Sequence, residues 1–191
     1  MKCRLSYVPL LIAPAVVAWA AGPAGVRNFQ QVDDHVYRGA QPTSEGFQGL
    51  EKLGVRSVID LRRDSERRES EKSVVERAGM RYVHIPLNGA HAPSDQQMAR
   101  IFAALDDSSS WPVFIHCKRG ADRTGTVIAC YRIAHDRWPN QKALEEAKLR
   151  RMSWTEWSMQ RYILNFDPKR CCALAIDRAP GAARLPKAES Y

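Results

Sequence analysis

The sequence lacks the residue clusters that build structural metal sites and disulfide frameworks. Its five cysteines include no Cys-x-x-Cys pair, and its five histidines are scattered along 191 residues. A structural zinc site needs closely spaced Cys or His ligands, and a disulfide-stapled miniprotein needs a dense set of cysteines. Both classes are therefore disfavoured, and a cysteine with a role is expected to act as a reactive thiol.

A biased composition is absent as well. Hydrophobic residues make up 45% of the chain and charged residues 26%, which are ordinary values for a globular protein. These values exclude a largely disordered chain and a protein with several membrane spans, and the length fits one domain. Acidic residues are the scarcer charged class, 21 against 29 Lys and Arg, so the net charge of +8 favours an anionic partner.

The N-terminal segment has no charged residue between positions 5 and 21. Lys2 and Arg4 precede this apolar run, and Ala18 and Ala20 put small residues where a signal peptidase reads its substrate. We therefore predict a signal peptide at residues 1–20, followed by a linker at residues 21–28. An uncleaved membrane anchor is the alternative, although the run is short for a stable span. The predicted location is the bacterial periplasm or the outside of the cell.

Beyond the linker, short apolar runs alternate with helical patterns. The predicted strands cover residues 36–38, 55–61, 81–86 and 112–116. This alternation predicts an α/β domain over residues 29–168, with a mostly parallel central sheet flanked by helices on both faces. Residues 169–191 show no periodicity and are predicted to be a loosely ordered tail.

The last predicted strand leads into the sequence His116-Cys117-Lys118-Arg119-Gly120-Ala121-Asp122-Arg123-Thr124-Gly125. Cys117 thereby lies at the carboxyl end of a buried strand, where open α/β sheets place their ligand sites. In such a turn the backbone N–H groups can converge on an anion, and Gly120 permits the backbone conformation that this requires. A helix that follows adds the positive end of its dipole. The same field can lower a cysteine pKa from about 8.5 to between roughly 3.5 and 7.5. Cys117 is therefore predicted to be a nucleophile at neutral pH.

The residues after Cys117 suit the transfer of a phosphoryl group. Arg123 presents a planar fork that matches two phosphoryl oxygens, and Thr124 carries a hydroxyl that can donate to the departing sulfur. These pieces predict a cysteinyl-phosphate intermediate. The phosphate is expected to bind the loop made of Lys118, Arg119, Gly120, Ala121, Asp122 and Arg123. His116 is predicted to orient this loop through a hydrogen bond to its backbone.

This loop resembles the Cys-x5-Arg loop of the cysteine-based phosphatases, which has His before it and Thr-Gly after it. Three other segments resemble further hallmarks of the bacterial dual-specificity-like tyrosine phosphatases: residues 36–43 (VYRGAQPT), 58–62 (VIDLR) and 84–87 (HIPL). The resemblance implies a phosphatase-type fold and hydrolysis of phosphate monoesters without a metal or another cofactor. A buried cysteine with an incidental arginine, a rhodanese-like sulfurtransferase and a non-catalytic phosphate-binding module are the other interpretations.

The substrate class implied by the resemblance is a phosphorylated protein, through tyrosine or dual-specificity phosphatase activity. An inositol phosphate or a phosphoinositide is the alternative. No nucleic acid partner is expected. Contact with a membrane is expected only through an uncleaved N-terminal anchor.

The general acid that the resemblance implies is missing from its usual loop. Related phosphatases carry an Asp after the strand that corresponds to residues 81–86, whereas residues 87–93 (LNGAHAP) contain no carboxylate. Asp122 is the leading replacement, because an Asp at this place is implicated in proton transfer in similar enzymes. Its alternative role is to orient Arg123 or a neighbouring loop. Asp95 and His91 are the next candidates, followed by water or the substrate itself.

Three further basic residues are candidates for a supporting role. Arg62, at the end of its predicted strand, is expected to touch substrate, to pair with Asp122 or to be a surface charge. Lys118 and Arg119 resemble the basic loop of the plant and fungal atypical phosphatases that act on inositol phosphates. Their alternative interpretation is that of solvated side chains.

Overall fold

A computed structural model describes residues 22–66 and 69–171 of the chain. A five-stranded sheet runs through it in the order β1-β2-β5-β3-β4. The strands are β1 (Gln30–Gln31), β2 (Val36–Ala40), β3 (Ser57–Asp60), β4 (Arg81–His84) and β5 (Val113–Cys117). The β1–β2 pair is antiparallel and the other three pairs are parallel. β5 is therefore the middle strand, and its carboxyl end lies at the centre of one sheet edge.

Helices cover both faces of this sheet. They are α1 (Ser44–Lys52), α2 (Glu69–Arg77), α3 (Asp95–Leu105), α4 (Asp122–His135), α5 (Asn140–Leu149) and α6 (Trp157–Leu164). Side chains of α1 and α2, among them Phe47 and Val75, share one core with Val58 and Phe114 of the sheet. A larger core packs α3, α4, α5 and α6 against the sheet. The predicted α/β class, with a mostly parallel sheet and helices on both faces, is confirmed.

Short sequence signals set the bounds of the helices. Thr43 caps α1, because its hydroxyl oxygen accepts a hydrogen bond from the Gly46 N–H. Ser94 and Gln97 form a capping box at the start of α3. Gly54 follows α1 with a φ of +86°, a conformation that ends the helix and that glycine adopts without strain.

The structure departs from the prediction in the residues before β2. Residues 22–28, predicted to be a linker, contact the domain: Val26 is buried in the core beneath α1, and the Gly25 carbonyl accepts the Thr43 N–H over 3.0 Å. The short strand β1 was not predicted, because two glutamines carry no apolar alternation. Its pairing with β2 depends on the backbone register of Gln30 with Arg38.

The predicted signal peptide at residues 1–20 lies outside the described residues, as does the tail beyond residue 171. Export and a loosely ordered tail therefore stay predictions. Within residues 22–66 and 69–171, no helix has both the length and the apolar character that a membrane crossing requires.

Candidate active site

Cys117 is the last residue of β5, at the middle of the carboxyl edge of the sheet. β2 and β3 flank it, and its register partner on β2 is Ala40. The residue is 2% exposed, yet it lines a pocket that opens at this edge. A reagent or substrate therefore reaches the sulfur through that pocket.

The chain turns from β5 into α4 over residues 118–121. Gly120 has a φ of +65°, and a Cβ at this position would lie 2.3 Å from the carbonyl carbon of Gly39, so only glycine fits. Ala121 at the N-cap of α4 supplies no side-chain hydrogen bond. The first N–H groups of α4 are thus not capped by that side chain, which is the arrangement that binds an anion at a helix N-terminus.

The pocket over Cys117 has a volume of about 260 Å³. Its lining residues are Arg63, Gly89, Ala90, Cys117, Lys118, Arg119, Asp122 and Arg123. Four of these carry a cationic side chain and one carries a carboxylate. The walls therefore favour a ligand with several negative charges. All of the catalytic candidates from the loop lie together here, as do Lys118 and Arg119.

Both carboxylate oxygens of Asp122 accept hydrogen bonds. Arg119 Nη2 donates to Oδ2 over 2.6 Å, and the Ser153 backbone N–H donates to Oδ1 over 2.8 Å. Asp122 is thereby fixed between the loop and the segment that precedes α6. These contacts fit the loop-orienting role, while the position of the residue in the pocket wall keeps it within the site.

The structure places the two other acid candidates away from the pocket lining, as far as the described residues show. Asp95 is the first residue of α3, and its Oδ1 accepts a hydrogen bond from the Tyr162 hydroxyl over 2.8 Å. His91 is exposed in the loop after β4. That loop does reach the pocket, but through Gly89 and Ala90, whose side chains carry no proton to donate.

Arg62 does not have any of the three roles predicted for it, which were contact with substrate, pairing with Asp122 and a surface charge. It is fully buried, and its guanidinium binds Asp60 and Glu71 rather than Asp122. The physical reason is that β3 ends at Asp60, whose carboxylate accepts bonds from both Nε and Nη2 of Arg62. Arg63, the next residue, lines the pocket. The pocket cation from this strand end is therefore one residue later than predicted.

His116 connects the loop to this buried ion-pair network. Its Nε2 lies 3.2 Å from Oε1 of Glu71, and its Nδ1 lies 3.4 Å from the carbonyl oxygen of Cys117. The ring thus lies between α2 and the backbone at the start of the loop. This placement fits the predicted role of His116 in orienting the loop.

Asp60, Glu71 and His116 bring three potential ligand atoms within 4.8 Å of one another. Both carboxylates already bind Arg62, so the group fits a guanidinium rather than a metal ion. Burial acts to raise the pKa of Asp60, but hydrogen bonds from Arg62 and the charge of His116 outweigh it and lower this pKa to about 2.

Thr124 is fully buried in the first turn of α4. Its hydroxyl oxygen has no hydrogen-bond partner among the residues that the structure describes. The predicted donation to the Cys117 sulfur is therefore not formed in this conformation. No other described group competes for the hydroxyl.

Sequence reasoning missed two residues that hold the loop from below. Arg38 Nη2 donates to the carbonyl oxygen of Gly120 over 2.7 Å, and Asn28 Nδ2 donates to the same oxygen over 2.8 Å. Asn28 lies in the segment that was predicted to be a linker. The sequence offered two signals for Arg38: it is a charged residue inside a predicted strand, and it lies in segment 36–43, which resembles a hallmark of the phosphatases.

Comparison with known proteins gives a family and two kinds of relative. The chain matches a family described as DSP-PTPase phosphatase fused to NAD+ kinase, over residues 17–163. The dual specificity protein phosphatase TpbA of Pseudomonas aeruginosa is 31% identical over 135 residues, which are 70% of this chain and 59% of TpbA. The inositol diphosphatase DSP5 of Arabidopsis thaliana is 30% identical over 148 residues, 75% of this chain and 71% of DSP5. The chain thus spans less than two thirds of TpbA but more than two thirds of DSP5.

Solved structures share the fold. The core catalytic domain of the PP-IP phosphatase SIW14 from S. cerevisiae matches with a TM-score of 0.70 at 23% identity, over 78% of this chain and 91% of that structure. A P. aeruginosa TpbA variant in complex with phosphotyrosine matches with a TM-score of 0.65 at 24% identity, over 83% and 98%. The fold of this chain is therefore a known one.

Proposed function

The chain belongs to the DSP-type cysteine-based phosphatases, and we propose that it hydrolyses phosphate monoesters through a covalent phosphocysteine at Cys117. The observation that carries the proposal is the position of Cys117 in a basic pocket, immediately before the N-terminus of α4. A thiolate and a bound phosphoryl group both gain from the positive field at that place. The nucleophile and the anion site therefore coincide.

The proposed reaction has two steps. In the first, the Cys117 thiolate attacks phosphorus, the bond to the ester oxygen breaks, and the protonated Asp122 gives its proton to the leaving oxygen. Arg123 and the loop N–H groups bind the phosphoryl oxygens. In the second, Asp122 takes a proton from water, the resulting hydroxide attacks phosphorus, and the sulfur leaves as a thiolate. Inorganic phosphate is released and Asp122 is again protonated.

The nucleophile is tested with Cys117→Ser and the matched control Cys130→Ala, which changes a buried free cysteine outside the pocket lining. Hydrolysis of an aryl phosphate, assayed with reductant, is expected to fall by about 10³-fold or more in Cys117→Ser. Binding of the ester should persist, because Arg123 and the loop remain. Full activity in Cys117→Ser would rule out covalent catalysis by this residue, and thiocyanate formation from thiosulfate and cyanide would favour a sulfurtransferase.

The general acid is tested by the dependence on the leaving group. A general acid contributes about 10²- to 10⁴-fold when the leaving oxygen is a poor one, so Asp122→Asn should slow hydrolysis of phosphotyrosine far more than that of an activated fluorinated aryl phosphate. Asp95→Asn serves as the matched variant outside the pocket. Equal losses on both substrates would assign Asp122 to orienting the loop, and an unequal loss in Asp95→Asn would move the acid to α3.

The proposed substrate is a phosphorylated protein, with inositol phosphates as a second candidate that the pocket walls favour. Arg63 and Lys118 add cations beyond the one arginine that a single phosphoryl group needs, and Arg119 adds a third, which is paired with Asp122. Relatives named for either substrate class are similar to this chain. Ratios of kcat/KM on phosphotyrosine peptides and on inositol polyphosphates, with and without reductant, decide between the two.

Variants sharpen that substrate panel. Arg63→Ala is expected to raise the KM for an inositol polyphosphate by about tenfold and to change the KM for a small aryl phosphate little, because the loss of one phosphate contact costs about 1–2 kcal/mol. Lys52→Ala, an exposed cation on α1, is the control. If Arg63→Ala changed the KM for both substrates equally, Arg63 would not bind an additional phosphate, and the phosphorylated protein would be favoured.

We further propose that the enzyme acts outside the cytoplasm, from the basic and apolar pattern of residues 1–20. Fractionation of the native cells should find a mature form that begins near Ala21 in the periplasm or medium. Full-length protein in the cytosol would overturn export. Full-length protein in the membrane fraction would indicate the uncleaved anchor instead.

A further inference from the structure

The Gly120 carbonyl group points away from the pocket and is held from beneath the loop. An anion site made of backbone N–H groups requires the carbonyl groups between them to point outward, and a buried carbonyl needs a donor. The Gly120 oxygen has two, from Arg38 at 2.7 Å and from Asn28 at 2.8 Å. The two donors come from β2 and from the segment before β1, so residues distant in sequence fix the turn that follows Cys117.

Arg38 is the unusual member of this pair. It is fully buried in the middle of β2, and its Nε and Nη1 have no hydrogen-bond partner within the described residues. Its side chain lies on the same face of β2 as Ala40, the register partner of Cys117. Charged groups that are fully buried are ordinarily paired. Arg38 instead gives its one hydrogen bond to a carbonyl of the phosphate-binding loop.

The charges around Arg38 do not neutralise it. Glu146 of α5 is the carboxylate that attracts it most, but the oxygens of Glu146 accept hydrogen bonds from Arg132 and Gln30. Arg132 and Arg150 repel Arg38, and Cys117 attracts it when ionised. Burial lowers the pKa of Arg38 to about 10, so the guanidinium keeps its charge at neutral pH.

We propose that Arg38 is a positioning residue for this active site, which fixes the Gly120 carbonyl outward and holds a permanent positive charge beneath Cys117. The inference rests on the proposed phosphatase chemistry, since that charge favours the thiolate and the bound phosphoryl group. Arg38 touches neither the substrate nor the reacting atoms. It acts through the loop backbone and through its electric field, which is weakly screened because the residue is buried.

The test separates the charge from the hydrogen bond with three variants. Arg38→Met removes both, and Arg38→Lys keeps a positive charge. Asn28→Gly removes the second donor to Gly120, together with the 3.2 Å bond from Asn28 to the Arg150 carbonyl oxygen, and glycine tolerates the φ of +52° at that position. For each, the pH midpoint of Cys117 alkylation by neutral iodoacetamide is followed by peptide mass spectrometry. The kcat/KM for an aryl phosphate is measured beside it.

Arg38→Met is expected to raise the alkylation midpoint by about one pH unit and to lower kcat/KM by about 10²-fold through misplacement of the loop. Arg38→Lys should restore the midpoint but only part of kcat/KM, because it lacks the planar fork. Asn28→Gly should lower kcat/KM with an unchanged midpoint. This combination separates a field acting on Cys117 from a merely structural contact.

An unchanged midpoint in Arg38→Met overturns the proposal, and so does a midpoint shift of equal size in Asn28→Gly. If Arg38→Met does not fold, the comparison of Arg38→Lys with wild type at pH 6.5 and pH 9 decides instead. Alkylation of Cys117 requires no catalytic turnover. A wild-type protein without phosphatase activity would therefore refute the proposed function, while the alkylation midpoints of the Arg38 variants could still be compared.

Discussion

Arg38 and Arg62 are both fully buried near the carboxyl edge of the sheet, but their surroundings are opposite. Arg62 binds two carboxylates, with Nη2 at 2.7 Å from Asp60 Oδ2 and 2.5 Å from Glu71 Oε2. Arg38 binds a backbone carbonyl, and no carboxylate among the described residues lies in ion-pair contact with it. The end of β3 thus carries a compensated cation, and β2, on the other side of β5, carries an uncompensated one.

The difference shows how one residue type serves two purposes in the same protein. Burial acts to lower the pKa of both arginines, but hydrogen bonds and charges from Asp60 and Glu71 raise the pKa of Arg62 above its ordinary value. For Arg38 burial prevails, and the pKa falls to about 10. The Arg62 network therefore joins β3 to α2 as a structural contact, whereas Arg38 leaves a net positive charge below the proposed phosphate-binding loop.

Stability is expected to separate the two arginines most strongly. Arg62→Met leaves two buried carboxylates without their cation and should lower the free energy of unfolding by about 3–5 kcal/mol. Arg38→Met leaves no carboxylate behind, and the Gly120 oxygen keeps its bond from Asn28, so its cost should be about 1 kcal/mol. Urea unfolding at pH 7 measures both.

Lys72→Met is the control for this pair, because Lys72 makes an exposed i,i+4 ion pair with Glu76 on α2. Its effect should stay within about 0.5 kcal/mol. Equal losses in Arg62→Met and Arg38→Met would mean that burial alone, and not carboxylate pairing, sets the cost of removing either arginine.

Acid is expected to weaken the Arg62 network and to leave the Arg38 contact alone. The pKa of Asp60 is about 2 in the folded protein, lowered from 3.8, so its ionised form stabilises the folded state. That stabilisation, about 2 kcal/mol by linkage, is complete above about pH 4 and is lost as the pH falls through about 2.

Urea unfolding between pH 5 and pH 2.5 therefore tests the network. Asp60→Asn should show a flatter decline of stability over this interval than the wild type, because the asparagine side chain does not titrate. Arg38→Met should decline in parallel with the wild type. A decline of Asp60→Asn as steep as that of the wild type would assign the acid sensitivity to other carboxylates.

The four parallel strands could be predicted from the sequence because the patterns that specify them are local. The apolar runs that form β2, β3, β4 and β5 are separate from one another, and the loop from Cys117 to Arg123 has its candidate catalytic residues within one short segment. The position of that loop then follows from the rule that parallel sheets bind ligands at their carboxyl edge. The periodicity of apolar residues and the spacing of a motif are both read from residues that are close together in the sequence.

The surroundings of the two buried arginines were not predictable in the same way. Near the end of β3, successive side chains point to different sides. An error of one residue in the prediction therefore placed Arg62 at the site, whereas Arg63 is the residue that lines the pocket. The partners of Arg62 come from β3 and α2, and the acceptor of Arg38 comes from the loop after β5. Such pairings depend on how the elements pack in three dimensions, and the periodicity of apolar residues along the sequence does not predict them.

The smallest expected effect concerns the pH dependence of Arg38→Lys. A lysine has an ordinary pKa of about 10.4, and burial like that of Arg38 should lower it. The new side chain should therefore lose its positive charge at a lower pH than an exposed lysine does, and its support of the thiolate and of the bound phosphoryl group with it. The wild-type guanidinium, with its pKa of about 10, keeps its charge at both pH 6.5 and pH 9. The ratio of kcat/KM between Arg38→Lys and wild type should therefore fall from pH 6.5 to pH 9, while the ratio for Asn28→Gly stays constant. A constant ratio for Arg38→Lys would show that the charge beneath the loop is unused, and that the two buried arginines differ in their effect on stability alone.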